Sequence, residues 1–356
     1  MITDLLSNLF RRNFRKRKID FAFLIHPRYT GDIYRKYPIL KVLPEWVVNF
    51  ALYYFWPTYG GTIKGLTREG KPIFGALIIV PMPSKQMLKY RARAKKRVLA
   101  AVKLAEVYGA EIVGLGALTS SVTGGGLEIM EQSKPVHLTS GNSLTAYTTA
   151  NDIIERVKRE GVSGPIAIIG ATGSIGQAVA EMLYEELQNE IIVIGKNPER
   201  TARVAELLKE KNISGKPDPK ASTNVLEVSR AEILVITTSA HDATVNREMI
   251  KNAKIIYDVT QPKNTPEDIQ NDSSIVFIDG GLIKLPEQIH LTLDVGLPKG
   301  IAYSCLSETM ILAASERFDL VSGSKLLTGN IRTMGELAKK FEFKSHQIIT
   351  NHGHHI

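Results

Sequence analysis

A chain of 356 residues, 44% hydrophobic and 23% charged, is too long for one small core. It is also too ordinary in composition for a disordered or fibrous scaffold, so two globular lobes are expected. Its net charge of +9 favours an acidic partner, whether nucleic acid, an anionic membrane or an acidic carrier protein, without choosing among them. One cysteine excludes an intrachain disulfide and, with no secretory pattern at the start, points to a reducing cytoplasm.

Residues 1–20 read as a basic extension. Arg11, Arg12, Arg15, Lys16, Arg17 and Lys18 follow an apolar stretch instead of preceding it, which suits a surface helix in peripheral contact with a membrane better than a signal peptide. The most apolar run, 47–56, is far short of the roughly 20 residues needed to span a bilayer and ends at Pro57.

Residues 21–160 predict an α+β lobe for substrate. It opens with a strand at 21–25 and a helix over 44–55, followed by paired strands at 61–66 and 74–80 with Gly70 and Pro72 between them. Residues 84–108 then predict one basic amphipathic helix. Lys85, Lys89, Arg91, Arg93, Lys95, Lys96, Arg97 and Lys103 alternate there with Met87, Leu88, Val98, Leu99, Val102 and Leu104 at helical spacing.

Near Ser163 the pattern changes to strand, glycine-rich turn, helix, strand. Strands are expected at 166–169, 191–194, 233–237, 254–259 and 275–278, and helices from the turn through 187, over 198–211 and at 246–250. Such alternation over 161–300 predicts a doubly wound parallel sheet. Residues 301–356 read as a mostly helical segment that returns to the first lobe.

Gly170, Ala171, Thr172, Gly173, Ser174, Ile175 and Gly176 follow an apolar strand and open a helix. A glycine motif in that setting cradles a pyrophosphate, because the turn is tight and the backbone N–H groups face outward. Gly170, Thr172, Gly173, Ser174, Ile175 and Gly176 are therefore candidate dinucleotide contacts. After the second strand an NAD site usually carries an acidic residue, whereas here Lys196, Asn197 and Arg200 occur, so NADPH is expected, held by its 2′-phosphate. Thr237, Thr238 and Ser239 end the next strand at the carboxyl edge; Thr238 and Ser239 are further candidates.

Cys305 lies between small polar residues and an apolar helical run, so its thiol is expected near a helix N-terminus, where the dipole favours thiolate. Glu308 follows three residues on, on the same helix face. A carboxylate there handles protons and also opposes ionisation of the thiol by repulsion.

Four further segments join the glycine loop in a common order: Gly116 to Ser120, Gly141 to Tyr147, Ile278 to Gly281, and the stretch around Cys305. Together they resemble the long-chain acyl-[acyl-carrier-protein] reductases best known from cyanobacteria, over most of the chain. The resemblance implies a Rossmann-like NADP-binding domain and a catalytic Cys305 that takes an acyl group from the carrier as a thioester before its reduction to a fatty aldehyde. Glu308 is then a polar neighbour of that cysteine, and Thr119, Ser120 and Asn142 contact substrate. It also implies an acidic acyl carrier protein docking on the basic stretch 84–108, with acyl-CoA as an alternative donor. Leu144 stands where the family has its usual histidine.

Two alternatives remain open on the residues. One is a shikimate-type or other dehydrogenase without covalent catalysis, although the Tyr-x-x-x-Lys of short-chain enzymes occurs only at Tyr37 and Lys41, ahead of the loop. The other is a non-catalytic NADP sensor. No metal is expected, since His26, His137 and His241 are isolated and His352, His354 and His355 are terminal. No nucleic-acid motif spacing occurs either.

Overall fold

The computed structural model describes residues 18–211, 215–238, 245–261, 263–321 and 328–350. Two units divide the chain, and neither is continuous: Met1–Gly141 with Leu285–Ser324, and Asn142–Lys284 with Lys325–Ile356. The boundaries read from sequence differ from these. The helix Asn142–Glu160 sends Ala146, Ala150, Ile153, Ile154 and Val157 into the core of the second unit, although it precedes that unit's first strand. The carboxyl-terminal segment is shared, with Ser304–Ser315 in the first unit and the helix Thr328–Lys340 in the second.

The first unit is a mixed six-stranded sheet in the order 290–291, 58–68, 71–79, 21–25, 112–115, 137–139. Strand Phe21–Ile25 runs parallel to both of its neighbours, and Ile112–Leu115 runs parallel to His137–Thr139. Four adjacent carboxyl ends, those of 71–79, 21–25, 112–115 and 137–139, therefore open on one edge. Behind the sheet the helix Arg91–Tyr108 buries Ala94, Val98, Ala101, Val102 and Ala105, the three- and four-residue spacing of one apolar face, and stops at Gly109 with φ of 100°.

The single basic helix expected over 84–108 is in fact two, Ser84–Lys89 and Arg91–Tyr108. Tyr90 leaves helical geometry at φ −118° and ψ 55°, and its ring meets Tyr53 edge-on with centroids 5.1 Å apart. No glycine or proline marks the break, so tertiary packing sets it. Nor is the basic face wholly solvated. Arg97 is buried, with Nη2 donating to Tyr54 O at 2.9 Å, and Lys95 pairs with Glu128.

The second unit places six parallel strands in the order 220–222, 191–194, 166–169, 233–236, 255–258, 276–284. Numbered within the unit this is 3-2-1-4-5-6, the doubly wound arrangement, with its switch point between the first and fourth strands. The sequences IAII, IIVI and ILVI are buried throughout, because helices and loops cover both faces. Ile166 and Ile168 enter one apolar layer, Ala167 and Ile169 the other. Lys344–Thr350, read from sequence as part of a helical tail, is a strand antiparallel to Val276–Lys284. Residues 247–250 are hydrogen-bonded turn, not helix, with Asn246 Oδ1 accepting from Met249 N at 3.0 Å.

Candidate active site

In the second unit the glycine loop closes as its spacing requires. Gly170 has φ of 87°, and a Cβ there would lie 2.8 Å from Thr238 N. Gly173 N donates to Gly170 O at 2.9 Å, and the helix Ser174–Glu186 starts immediately after. At Gly176 a Cβ would meet Gly170 O at 2.4 Å and Thr237 Oγ1 at 2.5 Å, so only glycine lets helix and strand approach. The result is a helix N-terminus that follows a glycine turn at the switch point, a cradle fitted to a dinucleotide pyrophosphate.

Around this loop the expected contacts take distinct places. Thr172 is half-buried and its carbonyl accepts from Arg200 Nη2 at 3.0 Å, which holds the guanidinium beside the loop. Lys196 is exposed at the end of the second strand. Asn197 caps the helix Pro198–Glu210, its Oδ1 accepting from Arg200 N at 2.8 Å, so that oxygen is already engaged by backbone. Ile175 packs partly into the apolar core, Ser174 is the first helical residue, and Thr238 O accepts from Asn264 Nδ2 at 2.8 Å. Ser239 lies outside the described residues.

Asp258 was not singled out by sequence, yet it builds the neighbouring wall. Its buried carboxylate accepts from Thr260 N and Oγ1, Asn264 N, and Thr265 N and Oγ1 at 2.5 to 3.0 Å. Lys263 Nζ donates to Asp258 O at 2.7 Å and pairs with Asp279, whose carboxyl burial raises while Lys263 pulls it back. An acidic residue closing an apolar strand, followed by Thr, Lys, Asn and Thr, is the only sequence signal for this arrangement.

The cysteine site belongs to the first unit. Cys305 is the second residue of Ser304–Ser315 and is partly exposed. Gly141, just past strand His137–Thr139, lies against it: with φ of 71°, a Cβ at Gly141 would sit 2.2 Å from Cys305 Cβ. Glu308 is 1% exposed and accepts from Thr139 Oγ1 at 2.5 Å, and Thr139 Oγ1 in turn accepts from Gly141 N at 3.1 Å. One threonine thus ties the carboxylate to the glycine that faces the thiol. Ser140 Oγ and Ser307 Oγ, both buried, have no hydrogen-bond partner among the described residues.

Helix-start placement does not leave this thiol acidic. Burial, then the charge of Glu308, push Cys305 up to about 12, against the pull of the Leu306 and Cys305 backbone N–H groups. Of the two opposing influences expected from sequence the raising one prevails, and the resting form at neutral pH is the protonated thiol.

Thr119 and Ser120 leave the same sheet edge, after strand Ile112–Leu115. Thr119 is buried with Oγ1 donating to Gly116 O at 2.8 Å, and Ser120 is also buried. Between them and the strand, Ala117 adopts φ of 47° and ψ of −122°, a strained conformation for a residue with a Cβ. His26, beyond strand Phe21–Ile25, holds this turn: Nε2 accepts from Leu118 N at 3.3 Å and Nδ1 lies 3.0 Å from Pro27 O. Burial lowers its pKa, in keeping with a neutral ring. Asn142 opens the helix Asn142–Glu160 and belongs to the second unit. Among the described residues no three His, Cys, Asp or Glu side chains gather as metal ligands, and no helix is long and apolar enough to cross a membrane.

The family model described as shikimate / quinate 5-dehydrogenase matches residues 149–279, which hold the glycine loop and most of the parallel sheet. Loop, sheet order and this match define a nicotinamide-dinucleotide-dependent oxidoreductase. Among characterised proteins, the long-chain acyl-[acyl-carrier-protein] reductase of Synechococcus elongatus is 26% identical over 281 residues, covering 72% of this chain and 79% of that protein. Aminotransferase PigE of Serratia sp. is 26% identical over 333 residues, 90% of this chain, which spans only 36% of PigE's length. Of solved structures, 5-ketofructose reductase of Gluconobacter sp. covers 92% of this chain and all of its own at 12% identity and a TM-score of 0.37. Quinate dehydrogenase from Corynebacterium glutamicum covers 90% of this chain and 99% of its own at 12% identity and 0.35. Scores this low mark loose spatial likeness only.

Proposed function

We propose that the protein reduces a long-chain acyl thioester, carried by acyl carrier protein or coenzyme A, to a fatty aldehyde by way of an acyl group on Cys305. The observation that carries this reading is the seat of Cys305: a partly exposed thiol at a helix start, faced by a glycine where any Cβ would collide with the cysteine, with a buried carboxylate on the same helix. The similarity to the Synechococcus reductase supports it.

In this mechanism Cys305 Sγ attacks the carbonyl carbon and the carrier thiol leaves as thiolate. In this reading Glu308, whose charge already acts on the thiol, takes the Cys305 proton. Transfer removes the negative charge that opposed ionisation, so a thiol that is inert at rest becomes nucleophilic only as its proton moves. Bound NADPH supplies the hydride that reduces the thioester carbon, and Lys196 and Arg200 are the residues suited to its 2′-phosphate. Expulsion of Cys305 thiolate then frees the aldehyde, and proton return restores the thiol. The strongly acidic carrier suits the exposed Arg91 and Lys96 on the basic helix.

A second reading rests on the match of residues 149–279 to the shikimate and quinate dehydrogenases: hydride exchange with a hydroxyl-bearing substrate, in which Cys305 forms no bond. The thiol's high pKa suits it. Cys305→Ala separates the two. The variant is expected to retain NADPH binding and lose aldehyde formation. Unchanged turnover, or shikimate-dependent reduction of NADP+, rejects the thioester route.

A further inference from the structure

The helix Glu45–Tyr54 has two opposite apolar faces, and only one is covered. Val48 and Leu52 turn inward to meet Ile33. Trp46, Phe50 and Tyr54, four residues apart, form the other stripe and are 73%, 62% and 54% exposed. The preceding turn Pro38–Val42 buries nothing and presents Ile39 and Val42, 78% and 81% exposed, with Leu43 beside them. Scattered exposed hydrophobics are ordinary, but six within 16 residues form an interaction surface.

This surface is held rigidly from behind. Arg93 Nε donates to Tyr53 O at 3.1 Å while its guanidinium lies 3.8 Å from the Tyr53 ring centre, and Gln86 Nε2 donates to Asn49 O at 2.7 Å. Its border is cationic. Lys41 lies within the exposed turn, and Lys85 and Lys89 are exposed on the adjoining short helix. The local carboxylates are engaged, Asp32 by Arg28 and Arg35, and Glu45 by Thr30 Oγ1 at 2.7 Å.

We propose that residues 39–54 dock the protein on an anionic lipid bilayer, with Trp46 and Phe50 entering the boundary between headgroups and acyl chains and Lys41, Lys85 and Lys89 meeting lipid phosphates. Charge complementarity favours this occupant. An aromatic stripe bordered by lysines is the pattern of a helix lying in the membrane interface, where Trp and Tyr rings sit at headgroup level. The inference is independent of the chemistry at Cys305.

The test uses the full-length chain carrying Trp56→Phe, which leaves Trp46 as the one tryptophan reporter. Flotation is measured with vesicles of phosphatidylcholine and phosphatidylglycerol at about 7:3 and with phosphatidylcholine alone, each with brominated acyl chains. Binding to the anionic vesicles is expected to be at least about tenfold stronger, to weaken in roughly 0.5 M salt, and to quench Trp46. Trp46→Ser with Phe50→Ser, made in the wild-type chain, is expected to cut partitioning about tenfold at unchanged thermal stability. Failure to float, flotation without Trp46 quenching, or a lipid-free dimer that the double variant dissolves each overturns the proposal, the last in favour of a second copy as occupant.

Discussion

Gly141 and Cys305 are in such close apposition that a Cβ on the glycine would lie 2.2 Å from the cysteine Cβ and 2.3 Å from its Cα. Nothing flexible stands there to give way, and φ of 71° opposes any side chain as well. Gly141→Ala is therefore expected to cost about 2 kcal/mol or more in stability and to displace the cysteine helix. Urea unfolding checks the first effect and aldehyde turnover the second. A variant matching wild type in both denies Gly141 its positioning role.

Thiol reactivity distinguishes the two influences on Cys305. With its pKa raised to about 12, alkylation by iodoacetamide should climb about tenfold per pH unit through pH 10 without a plateau. Glu308→Gln removes the negative charge that disfavours thiolate, so the pKa falls and alkylation at pH 8 should rise roughly three- to thirtyfold. Aldehyde turnover in the same variant should fall, because the proton acceptor is gone. A plateau below pH 9, or slower alkylation in Glu308→Gln, contradicts this electrostatic picture.

Cofactor preference follows from the end of the second strand. Lys196→Glu with Arg200→Glu should weaken NADPH binding about 10- to 100-fold and NADH binding by less than about threefold, since only NADPH carries the 2′-phosphate. Arg200 also braces the Thr172 carbonyl, so a small common loss is expected. Equal losses for both nucleotides, measured by titration of cofactor fluorescence, remove the phosphate assignment.

Asp152 in the helix Asn142–Glu160 accepts from Ser345 Oγ at 2.6 Å and is raised to about 6, by burial first, with hydrogen bonds from Ser345 and Gln347 opposing. Its folded pKa exceeds the unfolded one, so the native state holds the proton more tightly. The stabilisation is full below about pH 4 and is lost as pH rises through 6. Asp152→Asn should raise the unfolding midpoint at pH 7.5 by roughly 2–6 °C and flatten its slope between about pH 4 and 6. A lowered midpoint at pH 7.5 shows that the charged carboxylate is the stabilising form.

Legibility differed by region for physical reasons. Strands Ile166–Ile169 and Ile191–Ile194 are apolar at every position because both faces are covered, so their ends could be read to the residue, and the glycine loop between strand and helix was equally plain. The placement of Cys305 in the first turn of a helix and the opposing charge of Glu308 were also visible, but not the burial that raises the thiol's pKa most, nor the tie of Glu308 to Thr139 across 169 residues of chain. Discontinuous units escape a linear reading, as the return of Leu285–Ser324 to the first unit shows. Tyr90 breaks a helix without a breaker residue, and the uncovered stripe of Trp46, Phe50 and Tyr54 has the same composition as a core stripe.

The most direct measurement of covalent catalysis is intact-protein and peptide mass spectrometry after incubation with a long-chain acyl carrier substrate in the absence of NADPH. The thioester mechanism predicts one added acyl group, located on Cys305, released as aldehyde when NADPH is supplied and absent from Cys305→Ala. An unmodified Cys305 in protein that still turns over the substrate with NADPH, or an acyl group on another residue, would contradict it.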